Sequence, residues 1–252
     1  MKMLFASDSF KGSITSEKTI ELLSKAANEV FGDCEVMGVP VADGGEGTVD
    51  AVIKAENGQL LSRKVKDPLW NEVDASYGVF RDCAIIEMAT ASGLPLVPTQ
   101  YRNPMDTTTY GTGELILDAI NKGYRNIYIA IGGSATNDGG MGCARALGIR
   151  FFDNEGHELE GIGRDLINVA TIDTSCMDTR IKECTITVMC DVKNPLCGPN
   201  GATYTYGPQK GLSADDIDIL EEGMCNYRDV IKEQFNVDCD SIEGAGAAGG
   251  LG

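Results

Sequence analysis

The chain has 252 residues, of which 42% are hydrophobic and 23% charged, a composition typical of a folded globular protein with one large domain or two modest ones. Its 38 acidic residues outnumber its 21 basic residues, giving a formal net charge of −17. That charge excludes an extended basic surface, so we expect neither a nucleic acid nor a membrane as a partner. The 31 glycines cluster in short runs without a triplet period, which predicts loops where the backbone approaches a neighbour or a ligand closely.

The cysteine and histidine content limits the metal and redox chemistry. Nine cysteines form no C-x-x-C pair and their number is odd, so we expect free thiols and a cytoplasmic protein. His157 is the only histidine, which excludes centres with several histidines, and its polar neighbours indicate a turn. We predict no targeting segment and no membrane span, because no apolar run has the necessary length. The sequence leaves a monomer and a homodimer both open.

The N-terminal part alternates strand-like and helix-like segments, as in α/β folds with parallel strands. A short apolar run at 3–6 predicts a buried strand. The periodicity of Ser16–Phe31 predicts an amphipathic helix that ends at Gly32. A strand at 35–41 and a second helix follow.

From about residue 59 the pattern changes to strands joined by short turns, which favours an antiparallel arrangement, and we place a domain boundary near Phe80. Further on, apolar runs predict two more strands, the second of them buried, and the 3.6-residue period predicts a short and a long helix. The predicted strands of this part are 60–66, 72–80, 83–88, 126–133 and 185–190, and the predicted helices are 140–147 and 214–235.

Two glycine-rich loops after strand-like runs are candidate ligand sites, because glycine lets a ligand approach backbone N–H groups. In loop 43–48, Asp43 and Glu46 would repel a bare phosphate, so this loop suits phosphate only through a divalent cation; a tight turn explains it equally well. Loop 132–140 has more polar groups than a turn requires, so we favour a site at the carboxyl end of its strand. Its candidate residues are Gly132, Gly133, Ser134, Asn137 and Asp138.

Other candidates lie at helix starts and strand ends. Thr109, Gly111 and Thr112 open a predicted helix and suit phosphate, although a threonine N-cap is common. Lys210 is a candidate phosphate ligand, and Asp191, at the end of a strand, is a candidate general base. The run 244–252 contains G-x-G-x-x-G, but with no strand before it and no helix after it this dinucleotide signal is weak. P-loop and protein-kinase motifs are absent from the sequence.

Several segments, taken together and in order, closely resemble the glycerate kinase family, and the resemblance covers essentially the whole chain. These segments are SDSFKGS (7–13), PVADGGEGT (40–48), ASGLPL (91–96), TTTYGTGE (107–114), IGGSATNDGG (131–140), CD (190–191), NP (194–195) and GPQKG (207–211).

The resemblance implies an α/β fold of two α/β domains. Residues 1–80 would form the N-terminal part of a flavodoxin-like three-layer domain, and residues 81–252 a second, mixed α/β domain inserted into it. It also implies a kinase that uses ATP and Mg²⁺ to phosphorylate a hydroxyl of D-glycerate, most consistent with the 2-hydroxyl.

Within that activity we infer the roles of individual residues, as expectations. Asp191 or Asp138 would orient and deprotonate the hydroxyl, while Asp43 and Glu46 would engage magnesium. Arg102 would pair with the glycerate carboxylate. The phosphate and substrate contacts would come from Lys11, Ser9, Lys210, Thr109, Gly111, Thr112, Gly132, Gly133, Ser134 and Asn137.

One departure leaves alternatives open. Family members continue past the length of this chain, through the rest of the flavodoxin-like domain. A catalytically silent truncated fragment or an interaction module of that family is therefore the alternative to an active kinase. A different nucleotide- or dinucleotide-binding protein is a weaker one.

Overall fold

The structure, a computed structural model, describes residues 1–8, 10, 13–42 and 44–252. Three residues proposed for the site, Ser9, Lys11 and Asp43, lie outside the described residues. The strands are β1 (Lys2–Ser7), β2 (Glu35–Pro40), β3 (Gln59–Lys66), β4 (Glu72–Phe80), β5 (Cys83–Glu87), β6 (Asn126–Ala130), β7 (Arg150–Phe152), β8 (Thr171–Asp173) and β9 (Thr185–Met189). The helices are α1 (Ser16–Phe31), α2 (Thr48–Glu56), α3 (Ala89–Ser92), α4 (Tyr110–Asn121), α5 (Met141–Ala146), α6 (Ala202–Tyr206) and α7 (Ile217–Phe235). This mixture confirms the expected α/β class.

The N-terminal strands β1 and β2 pair in parallel, and α1 connects them. The bounds predicted for α1 are confirmed, because Thr15 caps its first turn by accepting a hydrogen bond from Lys18 N–H and Gly32 ends it with φ of 65°. The predicted burial of the first strand is wrong. Leu4 is 62% exposed, because β1 pairs with β2 alone and the described residues leave much of it open to solvent.

The main sheet has five strands in the order β3-β4-β5-β6-β9. The first three are antiparallel, as their short turns predict, whereas β5, β6 and β9 run parallel. Strand β9 was predicted to be buried, but it lies at the edge of this sheet, where Ile186 is 39% exposed and Val188 37%. Apolar alternation identifies a strand but does not show how many neighbours cover it.

One hydrophobic core packs against this sheet, and a second packs against α7. The first packs α4 against the sheet, with Leu115, Ile116 and Ile127 at most 1% exposed. The second lies beneath α7, where Leu220 and Met224 are likewise enclosed. Helix α7 starts three residues later than predicted, because residues 213–216 form a turn before it.

The proposed domain division stays a prediction. Its boundary near Phe80 falls between β4 and β5, which are paired neighbours of one sheet, with Phe80 opposite Cys83. A boundary near Gly58, before β3, would leave the sheet undivided. None of the helices in the described ranges combines the length and the apolar character needed to cross a bilayer.

Candidate active site

A cleft of about 420 Å³ opens beyond the carboxyl ends of β6 and β9. Parallel strands β5, β6 and β9 all end at this edge of the sheet, where α/β proteins commonly bind ligands. The lining combines glycine backbone, a carboxylate and a lysine. Its residues are Gly44, Gly45, Leu94, Ile131, Gly132, Gly133, Ser134, Met189, Cys190, Asp191, Val192, Tyr206, Gln209, Lys210, Ala247 and Ala248.

Loop 131–140 forms one wall of the cleft and is held by backbone hydrogen bonds. Gly132 N–H donates to Gly44 O at 3.1 Å, and Leu94 N–H donates to Gly133 O at 2.9 Å. A methyl group at Gly132 would lie 2.7 Å from the Cα of Gly45, closer than Cβ contacts come. Gly133 adopts φ of 77°, which favours glycine. The wall therefore depends on both predicted glycines. Ser134, the next residue, is buried, with 8% of its surface exposed.

Asp191 lies two residues after the end of β9 and reaches the cleft as an exposed residue. Tyr206 lies near it: burial raises the pKa of the Tyr206 phenol, and the charges of Cys190 and Asp191 add to the shift. The Tyr206 hydroxyl donates to Asn194 Oδ1 at 2.7 Å, which fixes the ring. Asp191 is the predicted general base that the structure places within the cleft.

Lys210 also lines the cleft, although only 2% of its surface is exposed. Its Nζ donates to Thr136 O at 2.5 Å. Burial lowers the pKa of Lys210 to about 7, and the negative charge of Asp138 opposes this shift. The lysine is therefore held by loop 131–140 instead of being solvated, as a lone lysine usually is.

Asp138 lies beneath the cleft wall and does not line the cleft. It is fully buried, and its Oδ2 accepts hydrogen bonds from Thr109 N–H at 2.8 Å, Thr109 Oγ1 at 2.7 Å and Gly142 N–H at 3.1 Å. Its Oδ1 accepts from Gly140 N–H at 3.2 Å. Burial raises the pKa of Asp138, while these hydrogen bonds favour the charged form. This carboxylate joins the start of α4 to the start of α5 and thereby positions the two helices.

The predicted phosphate site at the start of α4 is buried and lies outside the cleft lining. Thr109 is held by Asp138, and its Oγ1 accepts a hydrogen bond from Cys143 N–H at 2.8 Å. Thr112 Oγ1 lies 2.7 Å from Ser92 Oγ. Gly111 packs against the backbone of Lys66, where a side chain would collide. Protein contacts account for all three residues, and their phosphate role stays a prediction.

Two further predicted site residues, Arg102 and Asn137, are not part of the cleft lining. A methyl group at Gly211, the residue after Lys210, would lie 2.7 Å from Arg102 Cβ, so this arginine is adjacent to the lysine segment. Its Nε donates to Val97 O at 3.2 Å. Asn137 is enclosed; its Nδ2 donates to Thr203 Oγ1 at 3.2 Å, and its Oδ1 has no partner in the described part of the chain.

Glu46 faces a second cleft, of about 440 Å³, on the other side of the same glycine loop. Asp50 and Glu87 line it too. Glu87 Oε1 accepts a hydrogen bond from Val49 N–H at 2.7 Å, at the start of α2. Burial raises the pKa of Glu87, and the charges of Asp50 and Glu46 raise it further. The carboxylates therefore create a negative potential that favours a cation here.

Three residues that line the two clefts were not predicted from the sequence: Glu87, Tyr206 and Gln209. Glu87 is a charged residue at the carboxyl end of a buried strand, a signal that the sequence contains. Gln209 lies within the recognised GPQKG segment. The contribution of Ala247 and Ala248 has no such signal, since the C-terminal glycine run reaches the cleft only through tertiary packing: Gly139 N–H donates to Gly249 O at 3.0 Å.

Comparisons with known proteins agree with this architecture. The sequence profile described as "Glycerate kinase family" matches residues 3–252. Glycerate 2-kinase of Escherichia coli (strain K12) is 48% identical over 100% of this chain and 67% of its own length. Glycerate kinase of Bacillus subtilis (strain 168) is 46% identical over 100% of this chain and 66% of its own length.

A crystal structure from Salmonella typhimurium LT2, of a protein proposed to be glycerate kinase 2, superimposes with a TM-score of 0.88 at 43% identity. It is covered to 68% of its length, whereas this chain is covered completely. The chain thus spans about two thirds of the length of these relatives. With the profile match and these identities, the chain belongs to the glycerate kinase family.

Proposed function

We propose that this protein transfers the γ-phosphoryl group of ATP to a hydroxyl of D-glycerate, in the cleft beyond β6 and β9. The observation that carries the proposal is that one cleft contains an accessible carboxylate, Asp191, together with the buried amine of Lys210 and glycine backbone. Phosphoryl transfer needs these parts: a group that accepts the hydroxyl proton, a positive charge and close backbone approach to phosphate.

In the proposed reaction, the glycerate hydroxyl oxygen attacks the γ-phosphorus and the bond from that phosphorus to the β,γ-bridging oxygen breaks. The hydroxyl proton passes to the Asp191 carboxylate, and ADP leaves with the bond's electron pair. Lys210, in the protonated form that it adopts below its pKa of about 7, stabilises the phosphate charge, while its hydrogen bond to Thr136 O holds it against loop 131–140. Arg102 is proposed to receive the glycerate carboxylate as a bidentate partner.

Magnesium fits the carboxylates at the second cleft. Oxygen ligands of this kind are the ones that Mg²⁺ prefers, and burial, with the nearby charges of Asp50 and Glu46, raises the pKa of Glu87. We propose Glu46 as a ligand; the other predicted ligand, Asp43, lies outside the described residues. When bound, Mg²⁺ supplies neutralisation of the phosphate charge.

The 2-hydroxyl is the proposed acceptor, giving 2-phosphoglycerate, since the relative from Escherichia coli is named glycerate 2-kinase. The free thiols fit the reducing cytoplasm as the place of action. The alternative is that a chain of two thirds of the relatives' length is catalytically silent.

The test measures glycerate-dependent ADP formation by the chain and two variants. Asp191→Asn removes the proton acceptor and is expected to lower kcat by about 10²–10⁴-fold. Asp215→Asn changes an exposed aspartate away from the cleft and is the matched control, with unchanged turnover. Near-normal kcat in Asp191→Asn would refute the role of this carboxylate. ADP formation that does not depend on glycerate would refute the substrate.

A further inference from the structure

A cluster of two thiols and a carboxyl group lies outside the cleft, where α7 meets the loop before α6. Its members are Cys197, Glu221 and Cys225. One ligand atom of each, the two Sγ atoms and a Glu221 oxygen, lies within 4.8 Å of the others. Glu221 and Cys225 are one turn apart on the same face of α7, so the helix presents both toward Cys197.

The Glu221 carboxyl group is incompletely satisfied. Its residue is only 7% exposed, and its Oε1 accepts hydrogen bonds from Gly198 N–H at 2.6 Å and, more weakly, from Cys225 Sγ at 3.8 Å. Its Oε2 has no partner in the described part of the chain. A buried carboxyl oxygen without a donor is unfavourable, and a cation at the cluster would satisfy it.

Arg228, whose positive charge acts on both thiols, does not supply that missing contact. Arg228 donates to Asp240 Oδ2 at 2.9 Å and to Asp229 Oδ1 at 2.8 Å. Asp240 Oδ1 in turn accepts a hydrogen bond from Cys197 N–H at 3.0 Å. Arg228 and Asp240 thereby fix the backbone of Cys197 beside α7, as outer contacts commonly fix a metal ligand.

We propose that Cys197, Glu221 and Cys225 form a zinc site that fastens the segment between Asp191 and Lys210 to α7. Two sulfur ligands and one carboxylate oxygen suit zinc, whereas Mg²⁺ and Ca²⁺ prefer oxygen alone. Two sulfurs at about 2.3 Å from a tetrahedral zinc lie about 3.8 Å apart, and the Sγ atoms of the observed cluster lie within 4.8 Å of each other. Three protein ligands leave the fourth position to water.

This site is separate from the proposed reaction. None of the three residues lines the cleft, yet Cys197 lies in the loop that leads from Asp191 to α6 and Lys210. Zinc bound there would hold the loop against α7 without contacting ATP or glycerate. Its binding is therefore measurable whether or not the chain phosphorylates glycerate.

The experiment uses the full chain, reduced and stripped of metal with a chelator that is then removed. Titration with Co²⁺ is expected to give one ion per chain with the intense sulfur-to-cobalt charge-transfer absorption of thiolate ligands, and Zn²⁺ is expected to displace it. Cys225→Ser should abolish that absorption or weaken Zn²⁺ binding at least about 100-fold, and Glu221→Gln at least about 10-fold. Cys176→Ser, at an exposed cysteine, is the matched control and should bind as the parent does.

Circular dichroism of each variant without metal checks that its fold is retained, and Glu221→Gln provides a second variant if Cys225→Ser does not fold. The proposal is overturned if the reduced chain binds no stoichiometric Co²⁺ or Zn²⁺, or if both variants bind like the control. Formation of a Cys197–Cys225 disulfide, when a chain that binds neither ion is exposed to dioxygen as oxidant, would overturn it too and would identify a thiol pair instead.

Discussion

Lys210 makes the stability of the protein depend on pH in a way that one substitution isolates. Burial lowers the pKa of this lysine to about 7 in the folded chain, from 10.5 for an exposed lysine. Between these two values the unfolded chain binds a proton at this position and the folded chain does not. The free energy of unfolding therefore rises with pH through this window, and the lysine contributes no slope below about pH 7.

The size of the effect follows from the linkage relation. A difference of one bound proton changes the free energy of unfolding by about 1.4 kcal/mol per pH unit. Raising the pH from about 7.5 to about 9 therefore increases the free energy of unfolding by about 2 kcal/mol through Lys210. This value takes into account that part of the folded chain is still protonated at the lower pH.

The assay compares urea unfolding of the parent chain and of Lys210→Met at several pH values in this range. Methionine preserves much of the side-chain volume and cannot titrate, so all other ionisable groups cancel in the difference. We expect the stability of the parent relative to the variant to increase by about 2 kcal/mol from about pH 7.5 to about pH 9. Parallel pH dependences would refute the burial of an ionisable amine at this position.

Two further substitutions test the cleft wall. Gly132→Ala places a methyl group 2.7 Å from Gly45 Cα, so we expect about 1–3 kcal/mol of destabilisation in urea unfolding together with lower turnover; wild-type stability and turnover would contradict the close approach. Asp138→Asn replaces one acceptor oxygen with a donor amide facing N–H groups, so we expect a loss of about 2–3 kcal/mol. Calorimetric melting measures it, and an unchanged melting temperature would contradict the four-bond network.

Much of the fold is predictable where local signals agree. Helix α1 has the predicted bounds because its period, its Thr15 cap and its Gly32 end all coincide. Strand β4 likewise has the predicted bounds, since short turns delimit its alternating pattern. Strands β7 and β8 have three residues each, too short for any period, and were not predicted.

Burial is less predictable than the elements themselves. The apolar residues of β1 and β9 favour enclosed strands, yet both strands have large exposed side chains in the structure. Local sequence records which residues are apolar, whereas burial depends on which distant segment covers them. The strand predicted at 126–133 also ends earlier, at Ala130, because the residues after it form the cleft loop.

The residues of the candidate site are likewise predicted only in part. Sequence analysis selected Asp191, Lys210 and the Gly132–Gly133 pair, which line one cleft in the structure. Asp138 was also predicted to be a catalytic group. In the structure its buried carboxylate accepts four hydrogen bonds, and the sequence alone does not distinguish such a carboxylate from an exposed one. The composition of a loop shows how many polar residues it has, whereas only the folded structure shows which of them face a ligand.

Phosphorus NMR of the full chain incubated with ATP, Mg²⁺ and D-glycerate tests the central claim most directly. We predict a phosphomonoester signal of 2-phosphoglycerate that grows in equal amount with ADP and is absent when glycerate is omitted. Loss of ATP without a glycerate phosphoester, or no reaction at an enzyme concentration comparable to that of the substrate, would contradict the claim that this cleft phosphorylates glycerate.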